Sequence, residues 1–111
     1  MTQAELYAAL AIACPTDDGY VPVAYRAHEP AVEPPFICYL FTDSADVTAD
    51  DTNYVPIAGF DVEYYSETKD LAAEAEIEAA LASLGLVWSK TETYIETEKL
   101  IETIWSVQAV L

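Results

Sequence analysis

Apolar positions follow two different periods along this chain, and the switches between them divide it into elements. Leu6, Leu10 and Ala13 recur at helical spacing in an alanine-rich stretch, and alanine is the best helix former. Thr2 and Glu5 stand at capping-box spacing, where the hydroxyl accepts from the Glu5 backbone N–H. Pro15 pushes the residue before it out of the α region, and Asp17-Asp18-Gly19 reads as a turn, so a first helix is predicted over residues 3–13. Tyr20 to Tyr25 reads as a short strand. Pro22 inside it cannot donate a ladder bond and so places it at a sheet edge. Residues 26–35 hold His28, Pro30, Pro34 and Pro35 and make a stiff connection.

Phe36 to Phe41 is an unbroken apolar run bounded by Pro35 and Thr42-Asp43-Ser44, the signature of a central strand, with an extension to Val47 left open. Tyr54 to Tyr65 is a second long strand, in which Phe60, Val62 and Tyr64 alternate with Asp61 and Glu63. Gly59 marks a candidate bulge. The two runs are expected to pair as an antiparallel hairpin. A second helix follows, capped by Asp70 or Ser66. Its stripe is Leu71, Ile77, Leu81 and Leu84, with Glu74, Glu76 and Glu78 facing outwards or flanking it, and Gly85 stops it at C′. From Val87 onward, Thr and β-branched residues indicate two strands with a turn near Thr97-Glu98. Ile101, Thr103, Trp105, Val107 and Ala109 line one face of the last. The order α-β-β-β-α-β-β predicts a single α+β domain over residues 1–111: a mainly antiparallel sheet with both helices packed on one face.

Charge changes this picture. Twenty Asp and Glu face four Lys and Arg, a formal net charge of −16 on 111 residues. Hydrophobic residues at 53% are too many for a disordered acidic tail. Stable nucleic-acid binding is disfavoured because phosphate contacts need clustered cations, and an anionic membrane surface is disfavoured for the same reason. No apolar stretch approaches the ~18 residues of a membrane span. The apolar N-terminus lacks a positively charged start, so no signal peptide is expected. Cys14 and Cys38 are one pair at most, and free thiols in a cytoplasmic setting are the simpler expectation.

Candidate chemistry is sparse. His28 is the lone histidine, expected to be simply exposed on its loop. No Cys/His cluster has zinc spacing, and three glycines leave no phosphate-cradling loop. Asp43, Asp46, Asp50 and Asp51 crowd one polar segment without the calcium-loop pattern or its closing Glu. With 20 acids, chance carboxylate pairs are inevitable, so no pair is informative by itself. No catalytic residue, metal or cofactor is assigned. Thirteen aromatics exceed what a core this size buries, and Tyr54, Tyr65, Trp88 and Tyr94 are the candidate interface residues.

Five stretches carry a resemblance. They are Tyr20-Val21-Pro22-Val23-Ala24-Tyr25-Arg26, Pro35-Phe36-Ile37-Cys38-Tyr39, Ala49-Asp50 with Tyr54 ahead of Asp61-Val62-Glu63-Tyr64-Tyr65, Lys69-Asp70, and Lys90 through Leu100. In these the chain resembles small tail-completion or tail-terminator-like proteins of long-tailed phages and prophages of Gram-positive bacteria. It departs from them at Ser66-Glu67, where a Thr-Asp pair is expected, and at Leu71, where a proline is expected.

The resemblance implies a non-enzymatic virion structural protein. Such a protein forms a ring, commonly a hexamer, that caps the tail tube and joins it to head-completion proteins. It is made in the bacterial host cytoplasm and ends in the virion tail or head–tail joint. In that setting Asp43, Asp46, Asp50 and Asp51 either line the DNA passage or face a partner, or else form a solvated loop facing nothing. The competing class is an acidic DNA mimic that inhibits a nuclease or DNA-binding protein. An enzyme is the reading these residues favour least.

Overall fold

The computed structural model describes residues 1–16, 19–44, 47–49, 52–55 and 57–110, with the side chains of 16, 47–49 and 52–55 left out of the description. Its helices are α1 (Gln3–Ala11) and α2 (Leu71–Ser83). Its strands are β1 (Pro15–Thr16), β2 (Gly19–Tyr20), β3 (Val23–Tyr25), β4 (Phe36–Ser44), β5 (Val47–Ala49), β6 (Thr52–Val55), β7 (Ile57–Ser66), β8 (Trp88–Ile95) and β9 (Leu100–Val110). The class is α+β. A five-stranded sheet in the order β3-β4-β7-β9-β8 carries both helices on one face, and β1-β2 and β5-β6 form two small separate sheets.

Local rules account for the element ends. Thr2 Oγ1 accepts from the Glu5 N–H at 3.2 Å, capping α1 as its spacing predicts. Asp70, not Ser66, caps α2: its Oδ1 accepts from the Ala73 N–H at 3.0 Å. Gly85 adopts φ +74°, and the N–H groups of Gly85 and Leu86 donate to the carbonyls of Ala82 and Leu81. That is the Schellman arrangement, which needs a left-handed residue at C′. Helix α1 ends at Ala11, two residues short of the sequence reading, because Ile12 already leaves helical geometry.

The hairpin predicted from the two apolar runs forms in antiparallel register, with Ile37 opposite Tyr64 and Tyr39 opposite Val62. The register slips between Phe41 and Asp43, opposite Gly59. A Cβ on Gly59 would stand 2.1 Å from Asp43 Oδ1 and 2.8 Å from Thr42 Oγ1, so a side chain there would have to push those two exposed side chains aside.

Several expectations need correction. Leu71, placed on the apolar stripe of α2, is 69% exposed. The strand expected over 20–25 is broken at Val21-Pro22, because proline has no N–H to continue a ladder: Gly19–Tyr20 pairs with Pro15–Thr16, while Val23–Tyr25 pairs parallel with β4 at the sheet edge. The polar segment after Phe41 is not simply a loop. Asp43 belongs to β4, and Val47–Ala49 pairs with Thr52–Val55. Glu74 does not face outwards; it is 2% exposed beneath Lys69 and Lys90.

The core lies between the helices and one sheet face. Trp105, Val62, Ile37, Leu6, Ile77 and Leu81 are each fully buried there. Each large side chain so buried is worth ~1.5–3 kcal/mol relative to exposure. The alternation that buries Phe60, Val62 and Tyr64 on this side turns Asp61, Glu63 and Tyr65 to the other.

Candidate functional site

That other side is the candidate site, because neither helix covers it. Its rows follow from the register: Phe36, Cys38 and Leu40 on β4; Asp61, Glu63 and Tyr65 on β7; Glu102, Ile104 and Ser106 on β9. Cys38 faces Glu63 across one strand pair, Glu63 faces Ile104 across the next, and Tyr65 faces Glu102. Phe36 and Tyr65 stack at 4.8 Å between ring centroids, and His28 meets Phe36 edge-on at 5.3 Å. Phe36, Leu40, Glu63, Tyr65, Glu102 and Ile104 are half-buried, and among the described residues neither helix packs over them.

His28 corrects the expectation of simple exposure. It is half-buried, and its Nε2–H donates to the Ile37 carbonyl at 3.1 Å, which folds the proline-rich connection over one end of this face. A cavity of about 280 Å³ remains under that connection, lined by His28, Val32, Phe36, Cys38 and Tyr65 among others.

Carboxylates dominate the middle of the face. Asp61 Oδ1 accepts from the Ser106 hydroxyl at 2.8 Å, and Glu102 Oε2 accepts from the Tyr65 hydroxyl at 2.7 Å. The Glu63 carboxyl lies close to the Glu102 carboxyl on this face. Burial, then the Glu102 charge, pushes Glu63 up to about 7. Burial also raises Tyr65, with its bond to Glu102 adding to the effect. Cys38 is a free, buried thiol pushed up to about 11 by burial and by Glu63 and Glu102. Cys14 is likewise free and buried on the helix side, raised to about 11 by burial, Glu76 and Asp70. Both stay protonated near neutral pH and are weak nucleophiles.

The Glu63 carboxyl sets a pH prediction. The folded chain holds this proton more tightly than the unfolded chain, so the stability it contributes is complete below about pH 4.5 and is lost as pH rises through about 7. Glu63→Gln keeps the shape and removes the charge. Each pH unit of displacement is worth ~1.4 kcal/mol, and solvent reaching a half-buried pair screens it. The variant should therefore gain about 1–2 kcal/mol at pH 8 and nothing at pH 4.5 in urea unfolding. An equal effect at both pH values would contradict the raised Glu63 carboxyl.

The chain's cations are divided: Arg26 lines the cavity on this face, and Lys99 lines the cleft beside Tyr65. Lys69 and Lys90, two of its four basic residues, are committed to the helix side. Glu74 receives Lys69 at 2.8 Å and Lys90 at 2.7 Å; Lys90 also reaches Glu78 at 2.8 Å, and Lys69 pairs with Glu92. Among the described residues, no three His, Cys, Asp or Glu side chains converge on a metal-holding cluster. No helix among them is long and apolar enough to cross a membrane.

The residues singled out from sequence fall at two ends of the sheet. Tyr65 and Tyr94 line one cleft of about 820 Å³, together with Pro34, Phe36 and Leu100. Trp88 and Asp43 line another, of about 670 Å³, at the opposite end with Asp61 and Gln108. Asp43 is exposed there. Asp46, Asp50 and Asp51 lie outside the described residues, as does the side chain of Tyr54. Sequence reasoning missed the Glu63–Tyr65–Glu102 cluster. The only available signal was that two alternating strands place acids at matching outward positions. No family model matches the chain, and no curated protein matches it.

Proposed function

We propose that this protein is a non-enzymatic structural subunit of a phage or prophage tail, a completion or terminator-like ring protein at the head–tail joint. The observation that carries this reading is the helix-free sheet face, with Phe36, Leu40, Tyr65 and Ile104 left half-buried beside the Glu63 and Glu102 carboxyls. Such a surface is suited to a neighbouring subunit, since core aromatics and aliphatics ringed by polar groups are the anatomy of interfaces. The small β5-β6 sheet adds support. It pairs with no strand of the main sheet, and an isolated two-stranded ribbon is marginal in water. It fits an arm that gains its stability from a neighbour.

The resemblance of the matching stretches names the assembly: a homo-oligomer, a hexamer in this reading, contacting the tail tube and the head-completion proteins. Asp43 and the acids that follow it then approach the DNA passage, where phosphate repulsion within a Debye length of ~8 Å keeps DNA sliding without sticking. Antibody-gold labelling of particles from a producing strain tests the placement. Gold at the head–tail joint is expected. Gold absent from all particles, with the chain recovered instead on a basic nuclease in a salt-sensitive pull-down, would replace this reading by the DNA mimic.

A further inference from the structure

We propose that two copies of this chain join edge to edge through β8, antiparallel, in a single register centred on Thr91. The two edges of the main sheet are unequal. β3 is three residues long and follows Pro22, whereas β8 runs eight residues with no proline and no register slip against β9. Ser89 through Tyr94 are all exposed. A long, regular, open edge is the kind of strand that takes another strand unless something blunts it.

The sequence of β8 is self-complementary. Trp88, Lys90, Glu92 and Tyr94 share the helix-bearing face, opposite Val107, Trp105, Thr103 and Ile101 of β9. With Thr91 facing Thr91 across a two-fold axis, Lys90 of each copy faces Glu92 of the other. Trp88 of each then faces Tyr94 of the other, and Ser89 faces Thr93. Opposite charges and aromatic pairs directly across an antiparallel ladder are the stabilising combinations. The neighbouring registers that keep both helix layers on one side oppose Glu92 to Glu92 or Lys90 to Lys90. Both side chains already hold ion pairs within their own chain, Lys90 with Glu74 and Glu78 and Glu92 with Lys69, so the cross-strand pair extends these networks; like-charge opposition disfavours the neighbouring registers, and an isologous two-fold contact follows. A second copy is the occupant because the edge matches itself pair for pair. Two of the aromatics singled out from the sequence, Trp88 and Tyr94, become each other's contacts. This inference does not rest on the tail-ring reading, since edge pairing joins two copies in any assembly.

Cysteine scanning tests it. Directly opposed residues of an antiparallel pair lie ~4.5–5.5 Å apart at Cα, within disulfide reach. Thr91→Cys should give a covalent dimer under mild oxidation about tenfold faster than Thr93→Cys, which faces Ser89 and not itself. The native thiols are buried and give little background. Thr91→Lys, exposed and outside both ion-pair networks, should leave a monomer by light scattering with an unchanged melting curve. Thr91→Cys that links no faster than Thr93→Cys, or a Thr91→Lys protein that stays dimeric, would overturn the proposal. Rings without the Thr91 crosslink would reject edge pairing and leave the ring reading intact. Crosslinked dimers without rings would support edge pairing and count against the ring.

Discussion

Replacing Trp105 with alanine is expected to cost about 3–5 kcal/mol, the range for emptying a buried large aromatic site. Trp105 is 0% exposed, on the helix-covered face, opposite Val62 on β7 and Lys90 on β8. Its loss opens a cavity between the sheet and α2 that neighbours pinned in regular strands cannot collapse into. It also removes two specific contacts: the indole N–H that donates to Glu78 Oε2 at 3.1 Å, and the ring face 5.5 Å from Lys90 Nζ. The melting temperature should fall by on the order of 15–25 °C. The urea midpoint should drop with its slope unchanged. Trp105→Phe, which keeps most of the volume and loses the N–H, should lose only about 1–2 kcal/mol. Equal losses in the two variants would show that the hydrogen bond, and not the packing, carries the effect.

The second large effect is expected at Lys90→Met, about 2–3 kcal/mol at pH 7, below the ~3–5 kcal/mol of a fully buried ion pair because Lys90 is partly exposed and Lys69 remains on Glu74. Methionine keeps a flexible apolar stem over the indole and removes the charge. Lys90 Nζ bonds Glu74 Oε1 at 2.7 Å and Glu78 Oε2 at 2.8 Å. Burial pushes Glu74 up, but its bonds from Lys69 and Lys90 outweigh that and hold the carboxyl below the ordinary range. Glu78 is held low first by Lys90, against its burial, with Trp105 adding a further bond. For carboxyls lowered in this way, the stabilisation is present above the unfolded value and is lost as pH falls through the folded one. Without Lys90 both carboxyls rise and can protonate, so the penalty should shrink between pH 7 and pH 4.5. A penalty that stays constant over that range, measured by urea unfolding, would mean that the lost lysine acts through packing alone.

The sequence pattern reached the elements whose cause is local. Thr2, Asp70 and Gly85 act through their own backbone neighbours, and each stands at the cap its spacing predicts, Asp70 as one of two named. The alternation of Phe60, Val62 and Tyr64 is period two, and it set which face of β7 is buried. The misses have non-local causes. Val23–Tyr25 runs parallel to β4 because Pro22 ends one pairing, and nothing in three residues states the direction of the next. Glu74 reads from sequence as an acid facing outwards or flanking the apolar stripe, and only the arrival of Lys69 and Lys90 from outside the helix makes its burial tolerable. The Glu63–Tyr65–Glu102 cluster depends on a strand register spanning residues far apart in the chain. The fold class was legible; the carboxyl pair that marks the open face was not. Of the aromatics read as interface residues, the sheet brings Tyr65 and Tyr94 to one cleft and sets Trp88 beside Asp43 at the other end.

The proposed ring and the proposed edge contact both require that this acidic domain assemble with itself. Light scattering of the purified chain across a concentration series, with negative-stain images of the same samples, tests it most directly. The mass is expected to climb from the 12.2 kDa monomer through a two-fold species to a discrete closed particle visible as a ring. A mass that stays at 12.2 kDa at every concentration, with no closed particle in the images, would contradict it.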